Sequence, residues 1–396
     1  MAWKECNKMD QKLKFVARLL EGEQMASLCR EYNISRKTGY KVWSRYKEVG
    51  LEGLNDRSRR PYRQANQLPF QIEAQIISLK KEKPHWGAPK IRELLKRKYP
   101  TIKYLPATST VHAILDRNGL VKKRKKRRYK AQGTDLNHVT QSNDLWCADY
   151  KGEFLMGNKQ YCYPLTITDY HSRFLLNCEA LESTRESLAI PSFERTFMEY
   201  GLPKVIRTDN GVPFSSPNAL YGLSKLSVWW LRLGIQIERI RPGHPQENGR
   251  HERMHLTLKK EATKPPGKNT LQQQQKFEDF IYEYNFERPH QAIEMKSPSE
   301  LYTRSNKIYR GLPNIEYTMH DKEITVTSCG RICLHGKKIN FSTVFAGQLV
   351  GIKEVQDQIW LVSFMNYDLG YFDEESRRFE PVLDPFGSKV LPMSSE

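Results

Sequence analysis

Apolar and polar positions follow three successive patterns along the chain. The first sixty residues read as short helices. GEQMASLCREYNISRKTGYKVWSRYKEVG sets apolar or small side chains at Met25, Ala26, Leu28 and Cys29, then a turn at Tyr32-Asn33-Ile34, then Ser35 placed to cap a second helix. That punctuation predicts a helix-turn-helix whose second helix opens on Arg36, Lys37 and Thr38, with Lys41 one turn further on. Basic and hydroxyl groups at that end are what a helix entering the major groove needs. A second helical unit follows in QIEAQIISLKKEK, GAPKIRELLKRKY and PATSTVHAILDRNGLV, with Thr108 or Ser109 as cap of the last helix and Gly119 as its stop.

From about residue 140 the pattern changes to strands. LWCADYKGEFLM, KQYCYPLTITDY and SRFLLNCEAL, with turns at Gly157-Asn158 and Tyr170-His171-Ser172, predict a three-stranded meander. A helix in ESLAIPSFERTFMEYG, a strand in KVIRT, a helix around LSVWWLRLG, a strand in IQIERI and a helix after residue 245 continue in an α/β order. FEDFIYEYNFERPH reads as a further helix ending near Arg288-Pro289. Residues 314–376 then alternate apolar and polar between glycine-containing turns, which predicts a small β-barrel.

Charge sharpens this division. The net charge is +19, yet residues 1–134 hold 33 Lys and Arg against 12 Asp and Glu, and residues 135–396 hold 31 against 33. The basic excess is thus confined to the helical front, which points to a polyanion, nucleic acid above all. NDRSRRPYR, with Arg59, Arg60 and Arg63, reads as a basic linker broken by Pro61. KKRKKRRYK, with Lys122, Lys123, Arg124, Lys125, Lys126, Arg127 and Arg128, is too charged to fold and reads as a second linker tracking phosphates. No apolar run reaches membrane-spanning length and MAWKECNKMD has no signal-peptide core, so a soluble intracellular protein is expected. Seven scattered cysteines without a CxxC argue against a disulfide framework or a zinc knuckle.

Candidate chemistry lies in the rear half. Divalent-metal phosphoryl chemistry needs hard oxygen ligands, and two ions about 3.5–4 Å apart can serve the attacking and leaving oxygens. Asp149 sits in the first strand, where a carboxylate is costly to bury without a cation. Asp209 ends KVIRT at the carboxyl edge of the sheet, where α/β folds place ligands. A glutamate borne on the helix near residue 250 would complete the set. RPGHPQENGRHERMH offers Glu247 and Glu252, but five positions on a helix put them on different faces, so only one can join the aspartates. Asp169 in TITDYHSR ends a hairpin strand and reads as a turn cap. Tyr161, Tyr163, Trp229 and Trp230 read as core.

LWCADYKGEF, YPLTITDYHSRFLL, RTDNGVPF, RPGHPQENGRHERMHLTLK and YNFERPHQAIEMKSPSELY, in that order, resemble the integrase core of DDE transposases and retroviral integrases within the RNase H-like fold. The resemblance is greatest to bacterial insertion-sequence transposases of the IS481 type, whose DNA-end-binding front the helical half is also similar to. In that family Pro-Gln, two residues, Gly and two further residues precede the catalytic glutamate. The motif falls here on Pro245, Gln246, Gly249 and Glu252, which selects Glu252 over Glu247.

The resemblance implies Asp149, Asp209 and Glu252 as catalytic residues and as ligands of two Mg²⁺ ions, with Mn²⁺ able to substitute. Asn210, Gln246, Asn248, Arg250, Lys259 and His290 are candidate DNA contacts around them. It further implies 3′-end cleavage and strand transfer, double-stranded DNA partners in terminal inverted repeats and target, a homo-oligomer of at least two chains, and a bacterial cytoplasmic, nucleoid-associated location. A domesticated DNA-binding regulator and another RNase H-like nuclease are the alternatives. The expected organisation is multidomain: an all-α helix-turn-helix domain at 1–60, a second helical domain at 61–121, a basic linker at 122–139, an α/β RNase H-like core at 140–305, a β-barrel at 306–385 and a tail at 386–396. The interval from Asp209 to Glu252 is longer than in retroviral integrases, and their N-terminal His/Cys zinc motif is missing.

Overall fold

The computed structural model describes residues 8–56, 68–122, 139–241 and 245–386. Arg59, Arg60, Arg63, Lys123, Arg124, Lys125, Lys126, Arg127 and Arg128 lie outside the described residues, as does the side chain of Gln246; Lys122 is described and exposed. The chain divides into two compact units, Met1–Pro69 and Phe70–Glu396.

In the first unit, α1 (Lys8–Leu20), α2 (Met25–Glu31) and α3 (Arg36–Val49) close on Phe15, Val16, Leu28, Cys29 and Leu54. The expected cap forms, with Ser35 Oγ accepting from the Thr38 amide at 3.2 Å. Gly39 sits where α3 meets α2: a Cβ there would stand 2.5 Å from Cys29 Sγ and 2.9 Å from Met25 Sδ, closer than packed atoms tolerate. Arg36, Lys37, Thr38 and Lys41 occupy the exposed face of α3.

The second unit begins with α4 (Phe70–Glu82), α5 (Ala88–Lys98) and α6 (Thr108–Arg117), packed through Ile76, Leu79, Ile91, Leu95, Val111 and Ile114. Neither Thr108 nor Ser109 caps α6. Ala107 holds the N-cap position without a side-chain bond, and Gly119, at φ +68°, follows the helix end. These helices are fastened to the α/β core. Arg97 donates to Ser297 Oγ at 2.7 Å and to the Met295 carbonyl at 2.9 Å, and Lys83 pairs with Glu283 and Glu287 at 2.9 and 2.8 Å.

The core sheet contains β1 (Leu145–Tyr150), β2 (Phe154–Leu155), β3 (Tyr161–Asp169), β4 (Leu175–Leu181), β5 (Val205–Thr208) and β6 (Gln236–Arg239). The strand β3 runs antiparallel to β1, β2 and β4, which realises the expected meander, while β1, β5 and β6 are mutually parallel. Strand alternation divides the side chains between two layers. Trp146, Ala148, Leu165, Ile167 and Ile206 face Phe193 and Phe197 of α7 (Glu186–Tyr200) and Leu226 and Trp230 of α8 (Lys225–Arg232). Cys162, Leu175 and Cys178 face Met254 and Leu258 of α9 (Gly249–Glu261) and Phe277 and Phe280 of α10 (Thr270–Tyr282). Tyr161, expected in the core, is exposed. The alternation leaves Cys147, Asp149, Thr166, Thr168 and Arg207 on the α9 side.

The expected C-terminal barrel does not form. The strands β7 (Lys322–Thr325), β10 (Leu349–Gln356), β11 (Ile359–Phe364), β12 (Tyr367–Asp373) and β13 (Arg378–Pro381) make an open antiparallel sheet in the order β13-β12-β11-β10-β7. The hairpin of β8 (Arg331–Leu334) and β9 (Lys337–Asn340) pairs only with itself. Closure is unnecessary because the core covers the apolar side. Val350, Ile352, Val362, Phe364, Leu369 and Phe372 share one cluster with Leu223, Val228 and Leu231. Tyr221 adds hydrogen bonds from its hydroxyl to the carbonyls of Leu369 and Val382. The long interval between Asp209 and Glu252 is therefore the surface on which the C-terminal sheet rests.

Candidate active site

Parallel pairing of β1 and β5 aligns Leu145 with Val205 and Cys147 with Arg207. Asp149 lies two residues further along β1, Asp209 directly follows β5, and the charge of Asp209 bears on Asp149. Asp149 follows the alternation that puts Cys147 on the α9 side. Gly211 lets the chain fold back over Asp209: its amide donates to Asp209 Oδ1 at 3.1 Å, and a Cβ there would lie 3.1 Å from the carboxylate. Burial pushes the Asp149 carboxyl up to about 7, and the negative charges of Asp209 and Glu252 add to the rise. A half-buried acid with two acidic neighbours holds its proton near neutral pH and is relieved by a cation.

Helix α9 reaches this edge through two buried imidazoles one turn apart. His251 Nε2 and His255 Nε2 lie 2.8 and 2.7 Å from Thr166 Oγ1, and His251 Nδ1 lies 2.8 Å from Thr168 Oγ1. Thr166 stands opposite Asp149 in the β1–β3 register, and its hydroxyl also lies 2.9 Å from the Asp149 carbonyl. His255 Nδ1 approaches Asp149 Oδ2 at 3.7 Å. Burial holds both imidazoles neutral, bringing His251 down to about 3 and His255 lower still, with the neighbouring His251 and Lys151 adding to the latter. Asp149, His251 and His255 form a candidate metal-binding group, with donor atoms within 4.8 Å of one another. Both nitrogens of His251 and Nε2 of His255 are already engaged by threonine hydroxyls, which leaves His255 Nδ1 beside the carboxylate. The threonine–histidine bracket was not read from the sequence. The i, i+4 pair was visible in RHERMH, but its partners lie on a strand more than eighty residues earlier.

Thr166→Val removes the hydroxyl shared by both imidazoles and strands two polar side chains in the core. The expected loss is about 1–3 kcal/mol of folding stability, read by denaturant unfolding. An unchanged midpoint would mean that α9 is held by its apolar contacts alone.

Glu252 lies exposed in the first turn of α9, with Leu256 and Lys259 exposed further along, whereas His255 is buried. Glu247 is buried. Its carboxylate accepts from the Arg241 amide at 2.9 Å and Arg241 Nε at 2.7 Å, and its carbonyl accepts from Arg207 at 3.3 Å. Arg207, fully buried on β5, pairs with Glu238 of β6 at 2.9 Å and ties the strand ends to the loop before α9. Asn210 donates to the Ile240 carbonyl at 2.8 Å and so bridges the loops after β5 and β6. Asn248, at the N-cap of α9, is 3% exposed. Arg250 is exposed, stacks 3.9 Å over the Tyr170 ring and donates to the Tyr170 carbonyl. Asp169 caps its turn by accepting from the amides of Asn143 and Ser172 and the Ser172 hydroxyl.

Residues 139–245 and 233–298 match the family described as Integrase core domain. Residues 11–62 match a Helix-turn-helix domain, and 38–115 a Homeodomain-like domain. The uncharacterized 39.2 kDa protein of insertion element IS476 from Xanthomonas euvesicatoria is 22% identical over 287 residues, 71% of this chain and 79% of that protein. The uncharacterized 31.7 kDa protein of insertion element IS407 from Burkholderia multivorans is 22% identical over 58% of this chain and 79% of its own length. The Gag-Pol polyprotein of Baboon endogenous virus is 34% identical over 104 residues, 26% of this chain and 6% of the polyprotein. The catalytic core domain of HTLV-2 integrase, solved with magnesium, covers 42% of this chain and is itself wholly covered, at 16% identity and a TM-score of 0.34, too low to carry a conclusion. The sheet with α9 beside it and the matched core segments define an integrase-core protein with helix-turn-helix units. Residues 139–298 of the chain thus carry an integrase core domain. No helix among the described residues is long and apolar enough to cross a membrane.

Proposed function

We propose that this chain is a transposase of the IS481 type that acts on the ends of its own mobile element in the bacterial cytoplasm. The observation that carries the reading is the convergence of charge at the sheet edge: Asp149 on β1 and Asp209 just past the end of the neighbouring parallel strand β5, with the charges of Asp209 and Glu252 both reaching Asp149. Asp149, Asp209 and Glu252 supply the hard oxygen donors that suit Mg²⁺, whereas the imidazoles beside them are largely committed to threonines. Two Mg²⁺ ions held there would polarise the scissile phosphate and activate the attacking oxygen.

The protein groups around the carboxylates have separate tasks. Thr166 and the two imidazoles fix α9 against β3, which holds Glu252 at the edge. Arg207, Glu238 and Glu247 fix the loop ahead of it. Arg250 and Lys259, exposed on α9, are placed to meet backbone phosphates. The helical front recognises terminal inverted repeats through Arg36, Lys37, Thr38 and Lys41. The products are a 3′-end cut and its transfer into target DNA, and pairing of two ends requires at least a dimer.

The test is a strand-transfer assay with Mg²⁺ on labelled duplexes ending in the element's own terminal repeats. Joined products support the reading. Specific binding without nicking or joining would overturn it in favour of a DNA-binding regulator, and cleavage of branched DNA alone in favour of another RNase H-like nuclease.

A further inference from the structure

A group of cations, some of them outside any ion pair among the described residues, lies where α5 meets the α/β core. Trp86, just before α5, is 1% exposed, and cations surround its ring: Lys83 Nζ at 5.5 Å, Lys90 Nζ at 5.9 Å and Arg288 Cζ at 5.7 Å from the centroid. Two of the three are neutralised, Lys83 by Glu283 and Glu287, and Arg288 by Glu261 at 2.6 Å. Lys90, in the first turn of α5, enters no ion pair among the described residues. Nor does Arg253, the residue after Glu252 on α9, nor Arg173 in the β3–β4 turn.

These three are near one another. The charge of Arg253 bears on both Lys90 and Arg173, and burial with the charge of Arg288 brings the Lys90 ammonium down to about 7 against the opposing charges of Glu261 and Glu283, which are themselves paired with Arg288 and Lys83. The same place holds two buried polar atoms without a hydrogen-bond partner, Trp86 Nε1 and His290 Nε2. His290 is kept neutral, at about 3, by burial and by the charges of Lys90, Arg288 and Arg173. Lys90 and Arg173, half-buried and outside any ion pair among the described residues, and an orphan N–H donor are costly in the free protein, and an anion satisfies them together. The α5 N-terminus has no side-chain cap, so its dipole adds to the attraction.

We propose that Lys90, Arg173 and Arg253 form a phosphate-binding site for the backbone of a DNA strand, at the seam between the second helical unit and the catalytic core. The proposal rests on the reading of the chain as a DNA-acting enzyme. It makes the seam a clamp that holds the strand beside Glu252, independent of the base-reading helix α3.

The experiment measures binding of the full chain to a labelled duplex of arbitrary sequence across a salt series, for wild type, Lys90→Met, Lys90→Arg and Arg253→Gln. Each lost phosphate contact lowers the slope of log K against log salt by about 0.9. Lys90→Met and Arg253→Gln are expected to show that drop and Lys90→Arg the wild-type slope. Lys90→Met is also expected to melt at or above the wild-type temperature, because it removes an unpaired half-buried charge. Wild-type slopes in both Lys90→Met and Arg253→Gln, in a chain that binds duplex, would overturn this site alone. Arg253 is exposed, so its variant decides the matter even if Lys90→Met fails to fold. A wild-type chain that binds no duplex would overturn the DNA reading and this site with it.

Discussion

Asp209→Asn is expected to reduce cleavage and joining by about three orders of magnitude while leaving binding to the element's ends in place, because the change removes a metal-ligand charge and leaves the helical front untouched. Glu252→Gln should do the same. Glu252 is exposed, so its melting temperature should stay at the wild-type value. Glu247→Gln gives the opposite pairing of results. It removes a buried charge held by Arg241, whose side chain is 41% exposed, so it should cost about 1–2 kcal/mol of stability and spare the activity of each folded molecule. Mg²⁺-dependent joining that persists in Asp209→Asn would remove the carboxylates from the chemistry. Joining that fails in Glu247→Gln and survives in Glu252→Gln would exchange the roles of the two glutamates.

Added Mn²⁺ or Mg²⁺ is expected to stabilise the chain far more at pH 8 than at pH 6. Asp149 has a folded pKa raised to about 7, above the ordinary carboxylate value near 4. An acid shifted in that direction favours folding fully below its unfolded value and loses this contribution as pH rises through about 7. Without metal, stability at the site therefore falls across that interval. Metal ligation requires the deprotonated carboxylate, so affinity rises over the same interval. At a hundredfold excess over the dissociation constant the ion contributes about 2.7 kcal/mol. Thermal melts at three pH values, with and without metal, measure the effect. Asp149→Asn should abolish the pH-dependent part, and an equal shift at pH 6 and pH 8 would place the ion elsewhere.

Much of this was legible in the chain because the signals were local. The α2–turn–α3 unit was marked by Ser35 and by the turn at Tyr32-Asn33-Ile34, whose bonds are all made within a few residues. The meander and the two parallel strands followed from runs of apolar residues with short turns. Asp149 and Asp209 stood out because each was a carboxylate at a strand position with a structural meaning. What escaped depended on contacts between distant segments. Alternation in residues 314–376 told which side chains turn inward, but not that α8 would cover them, so an open sheet was read as a barrel. Glu247 could be separated from Glu252 by helical phase, but its burial against Arg241 and the clasp of Arg207 required the fold. The cap of α6 was misplaced by one residue, because Thr108 opens the helix and Ala107 precedes it.

The shared apolar cluster of the C-terminal sheet and α8 makes the catalytic region indivisible. A chain cut after the core would present Leu223, Val228 and Leu231 to water, and the severed sheet would present Val350, Ile352 and Phe364. Recombination between relatives therefore cannot exchange the C-terminal segment as a cassette unless the stretch between Asp209 and Glu252 travels with it. Those two segments, separated in the chain by α9 and α10, are bound to vary together.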